Sequence, residues 1–330
     1  MIQSLSRALT MLFIMLGGAA TAFASPTVYI PLGSANQVIA VDAKTHRITA
    51  KYANVTNPHG LVATPDGEYL VAGSLAESAS AVGADADEPT SKLYLIHPAH
   101  GHVMQTIPVA GWSHHQAVTP DGRYVISTHA TRGDVSVLDM TTNQIVRRIP
   151  TGPAPNYTLI TRDGRRAYVS NSGDGTITEI DLNSWKPLRT LEGGAAPEHM
   201  VFSTDEQTIY VTNPRVGKVA AISVESGKLV RTYEIGPDTH GLDIGDDGKT
   251  LFVTSKKAAT LSAVNTESGE IRSVSLEPAP YHLNTIPDTG TLYVSSRGKP
   301  VIWVIDQQSL KVIKTIDLPG GEGHQMAIVK

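Results

Sequence analysis

Twelve histidines and no cysteine set the chemical vocabulary of this 330-residue chain. Thiolate metal sites and thiol nucleophiles are therefore excluded, and a bound metal would have to be held by His, Asp, Glu, Tyr or Met. Seven of the histidines share one local context, the residue pair that opens an apolar run: Pro58-His59, His114-His115, Glu198-His199, Thr239-His240, Tyr281-His282 and Gly323-His324, with Asn156-Tyr157 at a seventh equivalent place. Neutral imidazole suits Zn, Cu, Fe and Ni, so the expected chemistry is a transition-metal site, copper or zinc, or a pocket for a small ligand. The histidines fall into two registers, His59, His114, His240 and His324 in one, His115, His199 and His282 in the other. Successive strand residues point to opposite faces, so the spacing predicts that one register faces a common point, and the four-histidine set is the sharper version. The competing role for a histidine repeated at one position is a hydrogen bond to neighbouring backbone, repeated once per unit.

A second set of positions ends the apolar run that follows each pair: Ser74, His129, Asn171, Asn213, Lys256 and Arg297. His129, Lys256 and Arg297 beside the histidines would form a basic funnel fit for a carboxylate or phosphate. Glu198 and Tyr281 would add oxygen ligands or orient rings, and Trp112 would stack on a ligand or pack. The tract His97-Pro-Ala-His100-Gly-His102 looks metal-binding, but its turn belongs to the opposite face. No Ser-His-Asp arrangement, Gly-rich phosphate loop, HExxH pattern or calcium loop is present.

What must position these residues is a repeat. The segments 57–74, 112–129, 155–172, 197–214, 239–256 and 280–297 each hold a short apolar run, a turn built on Pro-Asp-Gly or a relative, and a second run alternating with period two. Pro65 presets φ at the turn corner and Gly67 takes the left-handed position that closes it. Two weaker strands follow each hairpin, as in 176–181 and 187–191, making four strands per unit. The strand-entry positions 59, 114, 156, 198, 240, 281 and 324 are spaced by 55, 42, 42, 42, 41 and 43 residues. The long first interval holds an acidic, small-residue insertion, 75–92, read as a surface loop or, through Asp85, Asp87 and Glu88, as a lid or metal-delivery segment. Residues 324–330 and 25–58 together make one further repeat of 41 residues. The fold class that follows is all-β, a seven-bladed β-propeller of four-stranded antiparallel blades, closed by pairing the N- and C-terminal strands in one blade.

The string Tyr210-Val211-Thr212-Asn213 and its variants, such as 168–172, resemble the YVTN β-propeller repeat over the whole of 25–330. That resemblance is specific for fold and weak for function. The double histidine 114–115, with inner-strand histidines from other blades, is similar to the histidine-lined propeller of nitrous oxide reductases. The cysteine-ligated copper domain of those enzymes has no counterpart, so nitrous oxide reduction is not implied. The leading expectation is a binding protein that holds copper, zinc or a small ligand at a histidine-lined channel mouth. A second is an enzyme: propellers resembling lactonases and streptogramin lyases use a channel-mouth metal or histidine with an acidic partner, here Glu198. A third is a scaffold for another periplasmic protein, with structural histidines.

Arg7 followed by the apolar run 8–20 and Ala22-Phe23-Ala24 reads as a signal peptide over 1–24, giving a periplasmic or secreted single domain at 25–330. No second apolar stretch is long enough to span a bilayer. The net charge of −4 and 5% aromatic content argue against a nucleic-acid partner.

Overall fold

The computed structural model describes residues 25–78 and 90–330. The expected signal peptide and the centre of the insertion, with Asp85, Asp87 and Glu88, lie outside the described residues. The described chain forms seven sheets of four hydrogen-bonded strands each. Six blades run in sequence order, 58–109, 116–150, 155–192, 200–234, 239–275 and 280–317. The seventh takes Thr27–Leu32, Gln37–Asp42 and Arg47–Ala53 and adds Ala327–Val329 from the other end of the chain. Thr27 pairs with Val329 and Tyr29 with Ala327, so the two ends close the ring as the repeat arithmetic requires. Every pairing within the blades is antiparallel, which gives an all-β propeller.

The turns form for the reason the sequence suggests. Gly67, at φ 71°, donates its N–H to Thr64 O at 2.8 Å, and the Thr64 hydroxyl meets Asp66 Oδ1 at 2.5 Å. Thr119 with Asp121 and Thr161 with Asp163 repeat the contact. Middle strands such as Gln37–Asp42 and Lys218–Ser223 are buried along their length, while outer strands such as Leu229–Glu234 are mostly exposed. The apolar core is accordingly divided into clusters between adjacent blades, for example Ile126, Val135, Val169 and Ile180 between the second and third. Stability is thus distributed around the ring, and the innermost strands are free to carry polar side chains toward the axis. Among the described residues no helix is long and apolar enough to cross a membrane.

Candidate functional site

The inner strands do not enter their blades regularly, and this irregularity makes the site. Pro58 pairs with Ser74, yet the next pair is Leu61 with Ala72, so His59 and Gly60 together oppose Gly73. The same two-against-one bulge places Asn156 and Tyr157 opposite Ser170, His240 and Gly241 opposite Thr254, and Tyr281 and His282 opposite Ser295. In the second blade His114 N donates to Thr128 O and Thr128 N to His115 O, both at 3.0 Å. Glu198 and His199 share Thr212 in the same way at 2.9 Å. A bulge adds a residue and breaks strict alternation. The expectation that only one register faces inward is therefore corrected: all seven histidines converge.

A hydroxyl holds the bulge in several blades. Thr128 Oγ1 accepts from His115 N at 3.1 Å and donates to Asn156 O of the next blade at 2.9 Å. Ser170 accepts from Tyr157 N and donates to Glu198 O, and Thr254 accepts from Gly241 N and donates to Tyr281 O. The bulged residues of neighbouring blades are thus tied to one another.

The rings form one contiguous group. His59 lies 4.2 Å from His324, 4.5 Å from His114, 4.9 Å from His115 and 5.3 Å from His282, between ring centroids. His199 lies 4.5 Å from His240 and 4.8 Å from both His115 and His282. Burial pushes all seven rings below the ordinary histidine pKa, His114 to about 4, and neighbouring imidazoles add to the effect for most of them. They are neutral near pH 7, the form that ligates metal.

Outer groups fix the tautomers of two rings. His115 Nδ1 lies 2.9 Å from Asn156 O, a carbonyl that only accepts, so Nδ1 carries the proton and Nε2 keeps its lone pair. His324 Nε2 lies 3.3 Å from Glu322 Oε1, which leaves Nδ1 as the free nitrogen. The free nitrogens of both rings are buried without a hydrogen-bond partner, as are Nδ1 of His114 and Nε2 of His199 and His282. Three groups bring ring nitrogens within 4.8 Å of one another: His59, His114 and His115; His59, His282 and His324; His115, His199 and His282. The first two groups mix the two registers, and the third is the whole of the second register. His240 belongs to none of them. Its ring stacks on Tyr281 at 4.4 Å and 12°, and Nδ1 approaches Glu198 Oε2 at 3.3 Å without hydrogen-bond geometry.

The mouth differs from a free basic funnel. Lys256 is paired with Asp238 at 3.2 Å and Arg297 with Glu322 at 2.6 Å, and both cations sit over the Tyr281 ring, at 5.2 and 5.3 Å. Burial raises the Glu198 carboxyl, opposed by the Lys256 charge. Hydrogen bonding to His324 and Ser34, with the Arg297 charge, holds Glu322 well below the usual carboxylate range. Burial pushes the Tyr281 phenol far up. His129 does not join the mouth: it is fully buried within its blade, between Trp112 O at 3.1 Å and Ser136 Oγ at 2.7 Å. His97 and His100 stack at 3.9 Å by the outer turn and stay apart from the cluster.

Three channel residues were not singled out from sequence. Gln325 exchanges hydrogen bonds with the Gln116 backbone, at 3.3 and 3.1 Å. The buried Asp243 accepts from Ile244 N and Thr285 N at 2.8 Å, and burial raises its pKa to about 6. Gln116 accepts from Gly73 N where other blades place a hydroxyl. Gln325 was readable in principle, because it follows His324 as His115 follows His114.

Fold and site together define a seven-bladed propeller with a histidine-lined axial cluster. Residues 76–315 match the family model described as outer membrane protein assembly factor BamB, and the chain belongs to that family. No curated protein matches the chain significantly. Among solved structures, a putative 6-phosphogluconolactonase from Bacteroides fragilis is similar at 17% identity and TM-score 0.75, covering 94% of this chain and 99% of its own. The Pseudomonas aeruginosa periplasmic gluconolactonase PpgL is similar at 19% identity and TM-score 0.74, over 92% of this chain and 99% of its own. Kuenenia stuttgartiensis hydrazine synthase is similar at 20% identity and TM-score 0.67, over 81% of this chain and 86% of its own. At these identities the likeness is one of fold.

Proposed function

We propose that this chain is a periplasmic propeller that binds copper or zinc through the histidines of its axial cluster. The observation that carries the reading is the set of buried ring nitrogens without a hydrogen-bond partner, gathered into three groups of ligand spacing. A buried polar atom left unmet is costly, and the packing role of a repeated histidine, a hydrogen bond to neighbouring backbone, is met by His115 alone among the seven. Here His115 and His324 spend one and keep the other, the pattern of metal-ligating histidine oriented from behind. Metal content of protein loaded with Cu or Zn, measured against His59→Ala/His282→Ala, tests it. Stoichiometric metal lost in the double variant is expected; equal content in both would overturn the reading. The periplasmic placement rests on the signal-peptide pattern and on the likeness to a periplasmic gluconolactonase.

One observation favours a second reading, lactone hydrolysis. Glu198, its carboxyl raised by burial, lies beside His240 at the mouth, a pairing of the kind an acid–base couple needs. Turnover of gluconolactone by wild-type protein and its loss in Glu198→Gln would support this reading; no turnover above the spontaneous rate would end it.

A further inference from the structure

A neutral imidazole carries one N–H donor and one lone pair. In His115 the donor is satisfied by Asn156 O, and in His324 by Glu322, so each has a single nitrogen left for the cluster. His59 and His240 are different: both are buried, and neither Nδ1 nor Nε2 of either ring has a hydrogen-bond partner. Of the two, only His59 belongs to a group of ligand spacing. Whichever of its nitrogens held the proton, a buried donor would go unmet, a cost His115 and His324 avoid.

His59 is also the ring shared by the group it forms with His114 and His115 and the group it forms with His282 and His324. One lone pair cannot serve two ions. We propose that His59 is the bridging ligand of a binuclear centre, an imidazolate joining a metal ion held with His114 and His115 to a second held with His282 and His324. The inference rests on the metal-binding reading and adds its stoichiometry. On loading, one His59 nitrogen bonds the first dication through its lone pair. The N–H proton on the other nitrogen leaves to solvent, and the electron pair so freed bonds the second ion. No electron changes hands, and the deprotonated ring has no donor left to satisfy. His115 has Nε2 alone to give, so a third ion in the group with His199 and His282 would compete for a nitrogen already engaged.

The test uses the mature chain loaded with Cu(II) and freed of excess metal. Copper per chain is measured by mass spectrometry, and electron paramagnetic resonance counts the visible spins. The expected result is two coppers per chain with a low-temperature spin count far below the copper content, because an imidazolate couples the two ions. His59→Ala, with its fold checked by circular dichroism, is expected to leave only uncoupled, fully visible copper. One copper per chain, or two that are fully visible in the wild type, overturns the bridge and leaves the metal-binding reading standing. No bound copper or zinc overturns both.

Discussion

Glu322 Oε1 stands 3.3 Å from His324 Nε2 and is held from its other sides by Arg297 at 2.6 Å and by the Ser34 hydroxyl on Oε2 at 2.7 Å. The carboxylate fixes which His324 nitrogen carries the proton and so which one faces the cluster. Partners of this kind typically change metal affinity by roughly 10–100-fold when removed. Glu322→Ala is expected to weaken Cu or Zn binding within that range, and Glu322→Gln, which keeps an acceptor oxygen, to weaken it less. Chelator competition measures both. Equal affinity in Glu322→Ala would show that His324 orients itself without help.

The metal-free protein should be acid-labile. The seven cluster histidines have folded-state pKa values below the ordinary histidine value, so below about pH 6.5 the unfolded chain binds more protons than the native one. Stability then falls as pH falls, by up to about 1.4 kcal/mol per pH unit for each such histidine once the unfolded ring is fully protonated. Asp243 and Glu198 work the other way. Burial raises both carboxyls, Asp243 to about 6, so the native state gains these protons first and is favoured as pH drops toward the ordinary carboxylate range. Seven groups outweigh two. The Tm of metal-free protein should be highest above pH 7 and fall steeply toward pH 5, and a flat profile over that window would contradict the burial of the cluster.

The architecture was legible because each blade repeats the same turn chemistry at a spacing of 41 to 43 residues outside the one insertion. Ring closure was legible because the end segments sum to one more repeat. The convergence of the histidines was not. Period-two alternation assigned His114 and His115 to opposite faces, and nothing in the local composition announces the bulge that turns both inward. Its signature lies thirteen positions downstream, in Thr128, Ser170, Thr212, Thr254 and Ser295, where a hydroxyl recurs. That hydroxyl reads equally well as ordinary strand polarity. His129 misled because the alignment slipped by one: its equivalents in the strand register are Ser255 and Ser296, while Lys256 and Arg297 lie one residue past the strand end, so His129 turns into the blade and bonds Ser136. The compensating carboxylates Asp238 and Glu322 come from the loops between blades, where repeat alignment is weakest.

Gly241 stands beside His240 because the next blade leaves no room for a side chain. A Cβ there would lie 2.4 Å from Tyr281 O and 2.9 Å from Leu283 N, both backbone atoms. Gly241→Ala would have to push two blades apart at the cluster, and overpacking of this kind costs about 1–3 kcal/mol. The expected result is a lower Tm together with weakened metal binding, read by calorimetry and metal titration. An unchanged melt would mean that the blades yield more easily than their hydrogen bonds suggest.

Thr254 tests the tie between blades without adding bulk. Its Oγ1 accepts from Gly241 N at 2.8 Å and donates to Tyr281 O at 2.5 Å, so one hydroxyl satisfies a donor in its own blade and an acceptor in the next. Thr254→Val keeps the shape and leaves both backbone groups unmet in a buried setting. Each unsatisfied group costs about 1–3 kcal/mol. Thr254→Ser should restore most of the loss, because it returns the hydroxyl while removing only a methyl. Urea unfolding of the three proteins gives the order expected, wild type above serine above valine, with the valine variant set well apart. If valine and serine were equally destabilised, the loss would come from packing of the methyl, and the hydroxyl would have no part in holding the bulge that aims the histidines.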